Sequence, residues 1–214
     1  MLRKPIILID NGHGIDTPGK RSPDGLFREY RYAREIASGI VDSLSAMGET
    51  AFLLVKETND VPLAERVDRV EAYCRGYGVG NVIVVSVHVN AAPGSGWLSA
   101  RGWCVYTSKG QTTSDIIATH IHAAAVDELK HAGYNDTFGA GVQKPVRADY
   151  SDGDPDFEES FYILRKTSCP AVLTENLFQN NRDDVEFLLS DAGRGAIINL
   201  HVEGIINYLK GIRK

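Results

Sequence analysis

The chain is short of cysteines, long apolar runs and excess basic charge, and each shortage excludes a class of protein. Three cysteines among 214 residues are too few and too widely spaced for a disulfide framework, which favours a reducing compartment. The apolar runs stay well short of the roughly 20 residues of a membrane-spanning helix, so we expect no membrane insertion. With 23 Lys and Arg against 28 Asp and Glu, the net charge is −5. The sequence therefore indicates no nucleic-acid or anionic-lipid partner.

The start of the chain does not read as an export signal. Only the apolar run Ile6–Ile9 follows the first basic residues, and the apolar core of a signal peptide is longer. We therefore expect a protein made in the cytoplasm without a recognisable signal peptide. Because no repeat, low-complexity tract or Pro/Gly/Ser-rich linker divides the sequence, residues 1–214 are expected to form a single domain.

Short β-branched runs alternate with longer segments of helical periodicity. Strands are expected at Ile6–Asp10, Ala51–Val55, Val82–Val89, Gly102–Thr107 and Ala171–Glu175, with a weaker edge strand at Phe161–Leu164. Helices are expected at Glu29–Met47, Leu63–Arg75, Ser114–Ala132, Arg182–Leu189 and Ala192–Leu209. Strands that are apolar throughout are usually covered on both faces. The pattern predicts an α/β fold: a mostly parallel or mixed central sheet of about six strands, with helices on both faces.

Polar side chains follow three of the predicted strands. The loop DNGHG, which contains His13, follows the first strand; the third strand ends in SVHVN, which contains His88; and the last ends in LTEN, which contains Glu175. In an open parallel sheet the carboxyl ends of the strands meet at one edge, where ligands bind. We therefore expect these three side chains to lie at the same edge.

Glu29 is expected at this edge too. The first predicted helix has an apolar stripe at Ala33, Ala37, Ile40, Leu44 and Met47. Extending this stripe back by one turn reaches Glu29, at the start of the helix. The alternative is a first-turn acid that complements the helix dipole and half faces solvent. Two histidines and one carboxylate from separate elements, with a further glutamate nearby, are typical of catalytic zinc, which has three protein ligands and an open position.

The other histidines are assigned more ordinary places. His120 and His122 lie two residues apart on a predicted helix, so they do not share a face and are interpreted as surface or groove residues. His201 is predicted to be a hydrogen-bonded structural residue within the last helix, and His131 to be solvated. The sequence contains neither HExxH nor CxxC, which excludes the helical metalloprotease pattern and a structural zinc knuckle.

At these motifs the sequence resembles the zinc-dependent N-acetylmuramoyl-L-alanine amidases of the amidase 3 type, which include bacterial cell-division hydrolases and phage lysins. The resemblance runs from about Ile6 to Leu209. The segment ILIDNGHG resembles the first histidine motif of the family, with Asn11 where proline or alanine is usual. SVHVNA resembles the second histidine motif, and Glu29 matches the glutamate ligand. LTENLFQN resembles the segment with the catalytic glutamate, with Asn176–Leu177 where an aliphatic residue and glycine are commoner.

The resemblance implies Zn²⁺ held by His13, Glu29 and His88, with Glu175 as general base and then general acid. It implies that the substrate is peptidoglycan, cleaved at the amide between the lactyl group of N-acetylmuramic acid and L-alanine. It also implies a phosphorylase/hydrolase-like fold related to that of zinc exopeptidases. Because the resemblance takes up nearly all of the 214 residues, we expect a catalytic domain with no separate cell-wall-binding module. The enzyme would act on the wall after release from the cell. Asn90 is expected to orient the site.

Two other functions remain open at this point. A zinc carboxypeptidase-like enzyme would use the same ligand types but needs a cation for the terminal carboxylate of its substrate, and Arg147 and Arg165 are the candidates. A non-catalytic wall-binding relative is the second alternative. The presence of both histidines and both glutamates argues against it.

The segment Asp149–Glu159 holds six acids in eleven residues. A charge run of this kind predicts a solvated loop. Because carboxylates attract Ca²⁺, a second metal site is a minor alternative, although the spacing matches no 12-residue calcium loop.

Overall fold

Six strands form one mixed sheet in the computed structural model, which describes residues 4–138 and 144–213. The strands are β1 (Ile6–Asn11), β2 (Thr50–Leu53), β3 (Val82–Asn90), β4 (Cys104–Thr107), β5 (Phe157–Glu158) and β6 (Ala171–Phe178). Their order is β2-β1-β3-β6-β4-β5. Strands β2, β1, β3 and β6 are parallel, β4 is antiparallel to β6, and β5 is parallel to β4. The α/β prediction with a mostly parallel, mixed sheet is confirmed; the ends of the predicted domain, residues 1–3 and 214, lie outside the described residues.

The helices are α1 (Glu29–Ala46), α2 (Leu63–Tyr77), α3 (Thr113–His131), α4 (Tyr162–Lys166), α5 (Arg182–Leu189) and α6 (Asp191–Ile212). Five of them lie within a few residues of their predicted bounds. The predicted edge strand at Phe161–Leu164 is wrong, because this segment enters α4. Periodicity cannot separate a short apolar run in a strand from one in a buried helix. Within the described residues, no helix is both long and apolar enough to cross a bilayer.

Alternate residues of the strands face two separate hydrophobic layers. In β1, Ile7 and Ile9 pack with α1, α3 and α6 on one side of the sheet. Ile6 and Leu8 pack with α2 and α4 on the other side. Covering both faces explains why the strands are apolar throughout.

The parallel strands place their carboxyl ends side by side. Asn11 at the end of β1 pairs with Val87 of β3, and His88 pairs with Glu175 of β6. The predicted polar residues of three strands are thereby brought to one edge of the sheet.

Candidate metal centre

One carboxylate oxygen and two imidazole nitrogens meet at this edge. Glu29 Oε1 lies 3.2 Å from His88 Nδ1 and 3.4 Å from His13 Nε2. The two imidazole rings are 5.0 Å apart between centroids and nearly perpendicular. Two nitrogen ligands and one carboxylate are typical of a catalytic zinc site, which leaves its fourth coordination position open.

Glu29 is fixed by hydrogen bonds to both of its carboxylate oxygens. It is the first residue of α1, and only 1% of its surface is exposed. Oε1 accepts a hydrogen bond from the Val89 backbone N–H at 3.0 Å, and Oε2 accepts one from Gln179 Nε2 at 3.1 Å. The half-solvated first-turn acid is therefore the wrong alternative for Glu29.

The loop that carries His13 passes directly against the ring of His88. A Cβ atom at Gly12 would lie 2.4 Å from His88 Cε1, so a side chain there would displace the second histidine. His13 itself has a φ of 61°, a left-handed conformation that costs a non-glycine residue about 1 to 2 kcal/mol. The backbone oxygen of His13 accepts a hydrogen bond from Arg34 Nη1 at 2.8 Å, which helps to hold this turn.

The three groups favour positive charge between them. Burial alone would raise the pKa of the Glu29 carboxyl, but hydrogen bonds from His13 and His88 outweigh it and hold the pKa below its usual range. Burial lowers the pKa of His88, yet contact with the Glu29 carboxylate raises it overall. A metal cation satisfies the same preference as protons on the imidazoles, which supports a metal centre.

Glu175 lies beside His88 on the neighbouring strand, and its Oε2 atom is buried and has no hydrogen-bond partner among the described residues. Burial, with a smaller contribution from the charge of Glu29, raises the pKa of Glu175 to about 7, although His88 acts in the opposite direction. A carboxyl group with a pKa near neutrality is suited to taking up and releasing protons.

A cavity of about 400 Å³ opens beside these groups. His13, His88 and Glu175 line one part of it, and Leu63, Tyr162 and Leu173 form an apolar wall. Lys20 lines the cavity as well and lowers the pKa of Glu175 slightly through its charge. The site is thus a partly apolar cleft with a few convergent polar groups, the usual form of a small-molecule site.

A buried arginine network fixes the end of β1 just before His13. Arg66, 2% exposed, bonds Asp10 Oδ1 at 2.6 Å, the Asn11 carbonyl at 2.7 Å and Asp60 Oδ1 at 2.9 Å. Ser86 of β3 donates a hydrogen bond to Asp10 Oδ2 at 2.6 Å. Sequence reasoning does not assign these residues a role. Asp10 and Ser86, which interrupt apolar strands, are the signal that could have found them.

A bulge in β6 brings Gln179 to the site. The β3–β6 register shifts between His88 and Asn90, which leaves an extra residue on β6, where Leu177 adopts a φ of 64°. Bulges re-aim side chains near functional sites, and here Gln179 reaches Glu29. Asn90, which is predicted to orient the site, contacts Gln179: its backbone oxygen accepts a hydrogen bond from the Gln179 N–H at 2.8 Å, while its side chain accepts one from the Ala91 N–H.

Comparison with known proteins identifies the family. A family model described as N-acetylmuramoyl-L-alanine amidase, of the amidase 3 type, matches residues 7–207. The chain belongs to this family. It is 26% identical to N-acetylmuramoyl-L-alanine amidase AmiC of Neisseria meningitidis and 29% identical to the endolysin of Bacillus phage SPP1, over 97% and 95% of the chain. The chain spans 53% and 66% of these two relatives.

Solved structures of amidases share the fold. An N-acetylmuramoyl-L-alanine amidase from Clostridium difficile 630 superposes with a TM-score of 0.75 at 21% identity, covering 97% of each chain. The amidase AmiC2 of Nostoc punctiforme gives a TM-score of 0.74 at 24% identity, covering 97% of this chain and 98% of the other. At these identities the likeness establishes the α/β architecture of the amidase family for this chain.

For the remaining histidines of this amidase-family chain, the structure confirms some predicted positions and corrects one. His201 is structural as predicted: its ring lies 2.9 Å from Thr174 Oγ1 and 2.6 Å from the Ile197 oxygen. His131 is exposed as predicted, and His120 is partly buried. The surface or groove position predicted for His122 is wrong, because it is buried near the ring of Trp103 on the side of α3 that faces the core.

Neither arginine considered for a peptidase lines the cavity. Arg147 lies over the rings of Phe157 and Phe178, at 5.7 and 5.5 Å, and Arg165 lies 6.0 Å from the ring centre of Tyr162. Among the described residues, the basic side chains that line the cavity are Lys20 and Arg66. Arg66 is already occupied by its carboxylate and carbonyl partners.

The acidic segment is not uniformly solvated, which corrects the prediction for Asp149–Glu159. Phe157–Glu158 forms β5, and Asp156 is 2% exposed, with Oδ2 accepting a hydrogen bond from Thr107 Oγ1. Asp154 and Asp156 lie close to Asp115 of α3, and this trio is the second group of potential metal ligands in the described ranges. No sequence pattern indicates that a helix supplies the third carboxylate.

Proposed function

We propose that the chain is a zinc-dependent N-acetylmuramoyl-L-alanine amidase that hydrolyses the amide between the lactyl group of N-acetylmuramic acid and L-alanine in peptidoglycan. One observation carries the proposal: a carboxylate and two imidazoles converge beside a buried glutamate in a chain of the amidase family. The catalytic domain is proposed to occupy residues 1–214, and its place of action to be the cell wall.

The donor set fits zinc. His13 Nε2, His88 Nδ1 and Glu29 Oε1 would hold the ion, and the hydrogen bonds from Val89 and Gln179 orient the carboxylate. A bound zinc ion supplies a Lewis acid that polarises the scissile carbonyl and makes water acidic enough to attack at neutral pH.

Glu175 is proposed to move the protons of the reaction. As a carboxylate it takes a proton from the attacking water, and as a carboxylic acid it delivers that proton to the departing amide nitrogen of L-alanine. Without this delivery the nitrogen is a poor leaving group. The raised pKa of Glu175 suits both halves of the task, because the group exchanges protons readily near pH 7.

A carboxypeptidase needs a free cation for the terminal carboxylate of its substrate. The two arginines considered for that task, Arg147 and Arg165, do not line the cavity, which leaves Lys20 as the cation to test for it. The apolar wall of Leu63, Tyr162 and Leu173 offers a surface for the sugar or the lactyl methyl group.

Product analysis on purified peptidoglycan tests the proposal. The zinc-loaded protein is expected to release soluble fragments with new L-alanine amino termini while the glycan chains remain intact. Chelation should abolish release, and added zinc should restore it. Free C-terminal amino acids as the product would support the peptidase, and wall binding without any product would support the non-catalytic relative.

A further inference from the structure

We infer that Asp115, Asp154 and Asp156 form a second metal site, for a divalent cation with the oxygen preference of Ca²⁺. One carboxylate oxygen of each residue lies within 4.8 Å of those of the other two. Ca²⁺ binds oxygen at 2.3 to 2.6 Å, so oxygens on one ion lie at most about 5 Å apart. The three carboxylates are therefore close enough to share one ion.

Burial makes this arrangement costly without a cation. Asp156 is 2% exposed and Asp115 is 4% exposed. The Oδ1 atoms of Asp154 and Asp156 are both buried, and no hydrogen-bond donor of the described residues contacts either. None of the described lysines, arginines or histidines forms an ion pair with the three carboxylates. Buried carboxylates that lack a positive partner call for a metal ion or a proton.

The other oxygen atoms of the trio are already held in place. Asp115 Oδ2 accepts a hydrogen bond from the Thr112 backbone N–H in the capping box of α3. Asp156 Oδ2 is bound by Thr107, and Asp154 Oδ2 accepts a hydrogen bond from Gln111 Nε2 at 2.9 Å. These contacts fix the three carboxylates while leaving one oxygen of Asp154 and one of Asp156 for a ligand.

The chemistry of the group selects the ion. All its ligand atoms are carboxylate oxygens, and neither imidazole nor thiolate is present in the trio. Hard oxygen ligands suit Ca²⁺ and Mg²⁺, whereas zinc prefers a site that contains histidines. Water is expected to complete the coordination of the larger Ca²⁺ ion, which accepts irregular geometry.

This site is separate from the zinc centre. Tyr106 of β4 pairs with Leu173 of the antiparallel β6, so Thr107 lies towards the amino end of β6. Ser114, next to Asp115, accepts a hydrogen bond from the Ala171 N–H at that same end. The bound cation would therefore fasten the acidic segment to α3 at the sheet edge opposite His88 and Glu175.

Thermal unfolding with and without calcium tests the inference on the full chain. After removal of metals and reloading with zinc, unfolding is followed with CaCl₂ or with NaCl of equal ionic strength. The measurements are made at pH 8.5, because burial and the neighbouring Asp154 raise the pKa of Asp156 to about 8, and a proton competes at lower pH. Calcium at about ten times its Kd is expected to raise the unfolding midpoint by about 3 °C or more, with one calcium bound per chain by calorimetry.

Four variants make the result specific. Asp154→Asn and Asp156→Asn keep the shape of the side chains and should abolish the calcium shift. Glu159→Gln neutralises an exposed acid of the same segment and should retain the shift. His88→Ala should also retain it, so the calcium result does not depend on the proposed zinc chemistry.

An unchanged midpoint with calcium, or a shift that persists in both aspartate variants, would overturn the inference. A midpoint that rises only as the pH falls, and is indifferent to calcium at every pH, would show that Asp154 and Asp156 share a proton instead.

Discussion

Two groups of carboxylates occupy opposite edges of one sheet, and they differ in how their charge is compensated. Glu29 is buried, but its negative charge is compensated: a backbone N–H and a side-chain amide donate hydrogen bonds to it, and two imidazoles face it. At the other edge, Asp154 and Asp156 each bury one oxygen that no donor of the described residues contacts, and Glu175 beside the first group does the same. The Glu29 carboxylate is held by the chain itself, whereas the aspartate pair needs a ligand or a proton to complete it.

The two groups also differ in the type of ligand atom. Nitrogen together with oxygen favours zinc, while oxygen alone favours calcium, so the two edges should recognise different ions. If this is correct, a substitution that removes a ligand at one edge should leave the ion at the other edge bound. Variants at each edge can therefore separate the two groups.

The largest effect is expected for His88→Ala. This variant loses one of three proposed zinc ligands, so zinc content should fall from one per chain to near zero and peptidoglycan hydrolysis to background. Metal analysis and dye release from peptidoglycan measure both. Full zinc binding by the variant would contradict the ligand assignment.

Glu175→Gln should separate chemistry from metal binding. The amide keeps the shape of the side chain but cannot accept the proton, so turnover should fall about 10² to 10⁴-fold while zinc content stays near one per chain. Turnover under saturating substrate and zinc stoichiometry are measured on the same preparation. Loss of zinc from a folded variant would make Glu175 a ligand, and near-native turnover would move the base to another group.

The two edges also differ in how far the sequence alone predicts them. His13, His88 and Glu175 follow predicted strands, so the rule that strand ends share an edge is enough to place them together. Glu29 is reached through the stripe of its helix. The family resemblance then names their roles, and the family-model match to residues 7–207 confirms the family.

Contacts between distant segments cannot be predicted in this way. Gln179 reaches Glu29 only because a bulge shifts the β3–β6 register, and nothing in the local pattern marks a bulge whose left-handed residue is Leu177. The trio at the opposite edge joins a helix start to a loop about 40 residues later, as in the pair of Asp115 and Asp156. A charge run alone indicates only solvation.

The wrong prediction of an edge strand has a related cause. The segment from Phe161 has strand-like composition, but its residues Ile163 and Leu164 are adjacent and both buried, which a helix turn permits and an edge strand exposed on one face does not. Next to β4, the sheet instead ends in β5, which is two residues long and lies within the acidic segment. Elements this short are formed by tertiary contacts and carry no period of their own.

His201, in the core between the two edges, should make the free energy of unfolding depend on pH. Burial lowers the pKa of His201 to about 4, whereas the unfolded chain binds the proton near the ordinary value of 6.5. Between these values the unfolded state takes up a proton that the folded state refuses, so the contribution of His201 to the free energy of unfolding falls as pH falls from about 6.5 to 4. The expected loss from this residue alone is about 2 kcal/mol at pH 5. Urea unfolding at pH 7 and pH 5 of the unmodified protein and of His201→Gln isolates it: the change in the free energy of unfolding between the two pH values should differ by that amount, and an equal change in both proteins would contradict the prediction.

The smallest expected effect comes from a comparison of two glutamines, one at each edge. This comparison tests most directly whether the two edges are independent. Gln179 donates to Glu29 Oε2, and Gln111 donates to Asp154 Oδ2, at 3.1 and 2.9 Å. Gln179→Leu removes the donor but keeps the bulk, so the carboxylate is less well oriented and zinc affinity should fall about tenfold. Competition with a chromophoric chelator measures this affinity without any assay of activity. Gln111→Leu should leave zinc affinity unchanged and weaken the stabilisation by calcium instead. If both variants weakened zinc equally, the two edges would be coupled, and their assignment to separate ions would be wrong.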